Sequence, residues 1–128
     1  MRYLLDTHLI LWAAGDPGRL PREAMPLLTE GGNDVMFSVA SLWEIVIKKG
    51  LGRTDFVVDA SELRHALLTN DFAELPVRAE HVLAVEALPV LHTDPFDRLL
   101  LAQAIVEGFI LLTSDKALAR YPGPVRAV

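Results

Sequence analysis

The segment Asp94–Asp115, DPFDRLLLAQAIVEGFILLTSD, decides the fold. Asp94 before Pro95 is a helix start: Asp caps free backbone N–H groups, and Pro at the first helical position gives up an N–H that had no partner. Asp97 then sits at the positive end of the helix dipole. The helix runs to about Glu107, where Gly108 stops it. Phe109-Ile110-Leu111-Leu112-Thr113 follows as a buried strand, because an apolar run without polar alternation has both faces covered. A helix feeding such a strand is half of a β-α-β unit, the crossover that parallel strands require.

The alternation extends outward from this segment. Tyr3-Leu4-Leu5 is a strand ending at Asp6, and Thr7–Ala14 is a helix broken at Gly15-Asp16-Pro17-Gly18. A helix over Pro21–Glu30, stopped by Gly31-Gly32, leads to the strand Val35–Ser38. Ser41-Leu42-Trp43-Glu44 has the form of a capping box opening a helix that ends near Lys48-Lys49-Gly50. Asp59–Leu68 and Arg78–Leu88 are helices, with Leu75-Pro76-Val77 between them as a short strand or a loop. Asp115–Tyr121 reads as a final short helix and Val125–Val128 as a last strand. The expected fold is α/β: a mostly parallel sheet with helices on both faces, in one domain over residues 1–128. Trp12 and Trp43 are assigned to the core, as is the Val82–Leu91 run, for which a dimer face is the alternative.

Composition narrows the chemistry. The 128 residues are 52% apolar and 23% charged, enough for a packed core without disulfide or structural zinc. Absence of cysteine removes thiolate catalysis and Cys-ligated metals. A formal charge of −5 argues against polyanion binding by overall charge, though a local basic patch or bound cations can still meet phosphates. No glycine-rich phosphate loop and no Gly-x-Ser-x-Gly occurs, and Asp6-Thr7-His8 lacks the second Asp of an aspartyl-phosphate mechanism. With no signal sequence and no long apolar run, a cytoplasmic protein without membrane association is expected.

In a parallel sheet, ligands lie beyond the carboxyl ends of the strands. Asp6 follows the first strand, Glu44 opens the helix after the second, Asp115 follows the strand 109–113, and Asp94 and Asp97 open the helix before it. Each acid has a plain structural role as a helix cap. Together, however, carboxylates converging on one rim repel unless protons or a cation neutralise them. Oxygen donors without sulfur suit Mg²⁺ or Mn²⁺ better than zinc. Such an ion can activate water against a phosphodiester. His8 and His92, two residues from Asp6 and Asp94, are candidates to support the site, whereas His65 and His81 read as structural. Lys48, Lys49 and Arg53 are candidate RNA contacts or a solvated helix end, and Arg98 pairs with a carboxylate or reaches a phosphate.

Four markers in this order resemble the PIN-domain ribonucleases, and among them the VapC-type toxins of toxin-antitoxin pairs. They are Leu4-Leu5-Asp6-Thr7-His8, Ser38-Val39-Ala40-Ser41-Leu42-Trp43-Glu44-Ile45, His92-Thr93-Asp94-Pro95-Phe96-Asp97-Arg98-Leu99-Leu100 with Ala102-Gln103-Ala104, and Leu111-Leu112-Thr113-Ser114-Asp115. The resemblance spans nearly the whole chain and implies a three-layer α/β/α sandwich. It implies that Asp6, Glu44, Asp97 and Asp115 are the acidic, metal-binding and catalytic set, with Asp94, Thr7 and Thr113 as auxiliary groups. It further implies an endoribonuclease using Mg²⁺ or Mn²⁺, an RNA substrate, a homodimer, and silencing by a cognate antitoxin. The alternative is a catalytically weak binding module that acts through antitoxin pairing and operon regulation.

Overall fold

The computed structural model describes residues 1–91 and 93–128. Five strands, β1 (Arg2–Leu5), β2 (Asp34–Ser38), β3 (Ala73–Leu75), β4 (Ile110–Thr113) and β5 (Val125–Ala127), form one sheet in the order β3-β2-β1-β4-β5. Every pairing is parallel. The connections carry helices α1 (Thr7–Gly15), α2 (Ala24–Thr29), α3 (Val39–Gly50), α4 (Ala60–Thr69), α5 (Ala79–Ala84) and α6 (Pro95–Glu107).

Alternation along the strands separates two cores. Tyr3 and Leu5 of β1, Val35 and Phe37 of β2 and Leu112 of β4 pack with Leu9 and Ile10 of α1, Ile45 of α3 and Leu63 and Leu67 of α4. Leu4 and Leu111 point to the opposite face and pack with Leu100, Leu101 and Ala104 of α6. The result is the expected α/β/α sandwich. β1 lies at the centre, with β2 and β4 on either side, so the chain's direction of travel across the sheet reverses beside it. A crevice opens there at the carboxyl edge.

Several local expectations are corrected. The helix expected over Pro21–Glu30 shrinks to Ala24–Thr29: Pro26 has no N–H and clashes one turn back, so it is tolerated only in a helix's first turn. The segment expected as a helix from Asp115 has one 3₁₀ turn, Leu118–Arg120. The helix expected to open at the Ser41–Glu44 capping box begins instead at Val39, capped by Ser38, whose Oγ accepts from the Ala40 N–H at 3.0 Å. Ser41 and Glu44 therefore lie within α3 on its buried face, with Ala40 and Ile45. Trp43 faces the other way: it is 59% exposed, its ring edge-on to Phe96 with centroids 5.3 Å apart, and it is not a core aromatic. Of the Val82–Leu91 run, Leu88 packs against the α6 core but most of the rest is not core. α5 is short and buries His81, leaving Val82, Leu83, Val90 and Leu91 exposed.

His81 is fully buried, as a structural histidine should be. Its Nδ1 accepts from the Arg78 N–H at 2.9 Å, which places the ring proton on Nε2, 3.4 Å from Glu107 Oε2. Gln103 joins this network, 2.6 Å from Ser38 Oγ and 3.3 Å from the Pro76 carbonyl, and so ties the end of β2 to α6 and to the loop after β3. Among the described residues no helix is long and apolar enough to cross a membrane.

Candidate metal centre

At the carboxyl edge a cavity of about 260 Å³ is lined by Asp6, Thr7, His8, Glu44, Lys48, Arg53, Asp94, Asp97 and Asp115. All five acids singled out in the sequence line it, so tertiary structure brings together groups from four distant parts of the chain. Five carboxylates and two permanently cationic side chains share this cavity, an excess of acidic groups that a divalent cation would complement.

Asp6 ends β1 and caps α1, its Oδ1 accepting from the Leu9 N–H at 2.9 Å. Oδ2 accepts from the Thr113 hydroxyl at 2.6 Å and from the Ser114 N–H at 3.4 Å. The capping role and the site role are thus filled by different oxygens of one carboxylate. Burial pushes the Asp6 carboxyl above its usual range, and the bonds from Thr113 and the backbone and the charge of His8 only partly offset it.

Glu44 is equally enclosed. Its Oε1 accepts from the Thr7 hydroxyl at 2.5 Å, and Thr7 Oγ1 also lies 3.0 Å from Ser41 Oγ. A threonine hydroxyl has one proton, and a carboxylate can only accept, so Thr7 donates to Glu44 and Ser41 completes the chain. Glu44 Oε2 accepts from Lys48 Nζ at 2.5 Å, one helical turn along α3. The same ammonium stands 3.7 Å from Asp94 Oδ2. Burial opposes the charge on Lys48, but its bond to Glu44 and the charges of Glu44 and Asp94 outweigh that, raising its pKa.

Asp94 caps α6 through Oδ1, which accepts from the Phe96 and Asp97 N–H groups at 2.8 and 3.3 Å. Asp115 caps the turn after β4, accepting from the Ala117 N–H at 2.8 Å, while its own N–H donates to Thr113 Oγ1 at 2.9 Å. Thr113 therefore positions two acids at once, a contact that its expected role as an auxiliary group did not specify.

The basic residues separate into three groups. Lys48 and Arg53 line the cavity, and Arg53 forks onto Asp55 at 3.0 and 3.1 Å. Lys49 is exposed and lies with Val46 and Gly50 beside a different, apolar depression. Arg98 turns inward, its guanidinium 3.4 and 3.3 Å from the carbonyls of Val85 and Leu88, and it ties α6 to the segment after α5 instead of lining the cavity. His8 stands at the rim, 3.4 Å from Asp55 and packed against the Trp12 and Phe56 rings. His92 lies outside the described residues. Ser41 is the polar group that sequence reasoning placed wrongly: its spacing to Glu44 fits a cap and a buried pair on one helix face equally well.

The donors are all oxygen, which fits a hard divalent cation. Among the described residues, no three acidic or histidine side chains stand close enough to share one ion in this arrangement. Glu44 and Asp94 are instead bridged by the Lys48 ammonium.

The PIN domain family model matches residues 3–124. No curated protein matches the chain in sequence. Solved structures are similar in fold. A chain of the VapBC2 complex of Rickettsia felis, bound to a DNA fragment from its promoter, has a TM-score of 0.70 at 19% identity, over 100% of this chain and 99% of that one. PAE2754 of Pyrobaculum aerophilum gives 0.60 at 16% identity, over 100% and 90%. VapBC-1 of nontypeable Haemophilus influenzae gives 0.59 at 18% identity, over 90% and 87%. With the family model covering nearly its whole length and the parallel sheet carrying the acids at its carboxyl edge, the chain belongs to the PIN-domain family.

Proposed function

We propose that residues 1–128 act as one PIN domain, a Mg²⁺- or Mn²⁺-dependent endoribonuclease that is the toxin of a cytoplasmic toxin-antitoxin pair. The observation that carries this reading is the convergence of Asp6, Glu44, Asp94, Asp97 and Asp115 on one cavity that also holds Lys48 and Arg53. Asp6, Glu44, Asp97 and Asp115 would hold the ion. When bound, a divalent ion lowers the pKa of water and neutralises charge on a phosphodiester. The protein's part is positional. Thr7 fixes the rotamer of Glu44, Thr113 fixes Asp6 and the Asp115 backbone, and Arg53 at the mouth meets a phosphate. The expected products carry a 5′ phosphate and a 3′ hydroxyl.

Two features support protein partners. Structural neighbours include VapBC complexes. Val82, Leu83, Val90 and Leu91 are also exposed, an apolar surface suited to a second copy of the chain. A basic side chain from an antitoxin entering the acidic cavity would silence it by occupying the carboxylates.

The test is cleavage of total bacterial RNA by partner-free protein with Mg²⁺ or Mn²⁺ and with EDTA. Asp6→Asn and Asp97→Asn should each lower cleavage by more than about a hundredfold, since even groups that merely support metal ligands are worth about 10–100-fold. Undiminished cleavage by these variants overturns the assignment. No cleavage by folded wild type favours the binding module.

A further inference from the structure

We propose that Lys48 is a tethered counter-cation: its ammonium occupies the carboxylate site in the metal-free protein, and a divalent ion is taken up by exchange with it. This rests on the reading of the cavity as a metal site. The residue is placed for the task by its spacing, since position 48 lies one turn beyond Glu44 and on the same side of α3. Its Nζ touches Glu44 Oε2 and lies 3.7 Å from Asp94 Oδ2, so one ammonium links an acid of α3 to the cap of α6. Its head is also held from two sides by aromatic faces, 5.0 Å from the Phe56 centroid and 5.9 Å from that of Phe96. A solvated lysine at a helix end would have none of these contacts. Lys49, next in sequence, is exposed.

The geometry makes ammonium and ion competitors. Glu44 presents Oε1 to the Thr7 hydroxyl and Oε2 to the Lys48 ammonium, so an ion seated at Oε2 would stand in contact with a like charge. Repulsion between the two cations then drives the ammonium off Oε2 as the ion enters. Four flexible methylenes allow that without movement of the helix. Exchange explains how a cavity with five carboxylates is held together before the ion arrives, and it makes the ion's affinity lower than the carboxylates alone would give. The freed ammonium remains at a cavity that an RNA phosphate would enter.

The test uses the full chain without RNA. Lys48→Met keeps an unbranched apolar side chain of similar length but removes the charge, and Lys48→Arg keeps the charge. Mn²⁺ binding by calorimetry and thermal unfolding with and without the ion are measured for each. The Lys48→Met protein should bind Mn²⁺ about five- to tenfold more tightly than wild type, and its melting temperature should drop without the ion and recover with it. Lys48→Arg should stay near wild type. Equal or weaker binding by Lys48→Met overturns the exchange while leaving the metal-site reading intact, whereas no binding by wild type or variant overturns both. Should Lys48→Met fail to fold, the ammonium ¹H–¹⁵N signal of Lys48 in unaltered protein decides. It should be protected from solvent exchange at first and lost on Mg²⁺ titration, and a signal unchanged at saturating Mg²⁺ overturns the proposal.

Discussion

Thr113→Val should be among the most damaging single changes that leave the volume of the fold untouched. The side chain is fully buried, and valine replaces only its hydroxyl by a methyl. Two bonds disappear: the 2.6 Å bond donated to Asp6 Oδ2 and the 2.9 Å bond accepted from the Asp115 N–H. A hydrogen bond to a charged group contributes about 1.5–3 kcal/mol and a neutral one about 1 kcal/mol, so the expected loss is roughly 2–4 kcal/mol. Asp6 retains the Leu9 and Ser114 N–H groups, which sets the lower end of that range. At about 4 °C per kcal/mol for a domain between the usual size classes, the melting temperature falls by roughly 8–16 °C. Urea and thermal unfolding of metal-free protein measure it directly. A double-mutant cycle with Asp6→Asn isolates the charge-assisted part, since asparagine still accepts a bond but carries no charge, and a coupling of about 1 kcal/mol is expected. A melting temperature within about 1 °C of wild type, or strict additivity in the cycle, would refute the assignment of Thr113 as the group that holds Asp6.

Asp6→Asn should raise the stability of the metal-free protein at neutral pH while abolishing its response to Mg²⁺. Burial raises the folded-state pKa of Asp6, so the folded protein binds a proton more readily than the unfolded chain. Stability then falls as pH rises from the ordinary carboxylate range through the folded pKa, and the penalty is complete above it. The gap between variant and wild type should widen with pH over that window in thermal scans, and a gap that narrows contradicts the sign. Gly108→Ala probes the end of α6. This glycine has φ +75° and nothing within 4 Å of an added Cβ, so the cost is conformational alone, about 1–2 kcal/mol in denaturant unfolding. A loss below about 0.5 kcal/mol would mean that the backbone relaxes out of the left-handed region.

The strands and the larger helices were legible because each carries its own instructions. Asp94-Pro95 starts α6 and Gly108 ends it, and the apolar runs of β1, β2 and β4 are recognisable without neighbours. Asp6, Asp94, Asp97 and Asp115 were legible because they follow strands or open a helix in a parallel sheet, where chain geometry sends them to one edge, whereas Glu44 reaches it from within α3. Errors fell where a short pattern has two physical readings. Ser41 and Glu44, three residues apart, satisfy a capping box and also share a helix face, and only the strand-end Ser38, already capping Ala40, leaves the second. Trp43 and the Val82–Leu91 run are apolar, but apolarity says that a group prefers to be covered and not what covers it. The sequence by itself determined the order of strands and helices and the identity of the acids, since these depend on interactions within a few residues. The partners were decided only by tertiary structure. Thr113 on Asp6, Thr7 on Glu44 and Lys48 across Glu44 and Asp94 depend on which helix face turns inward, and that is fixed by packing between segments far apart in the chain.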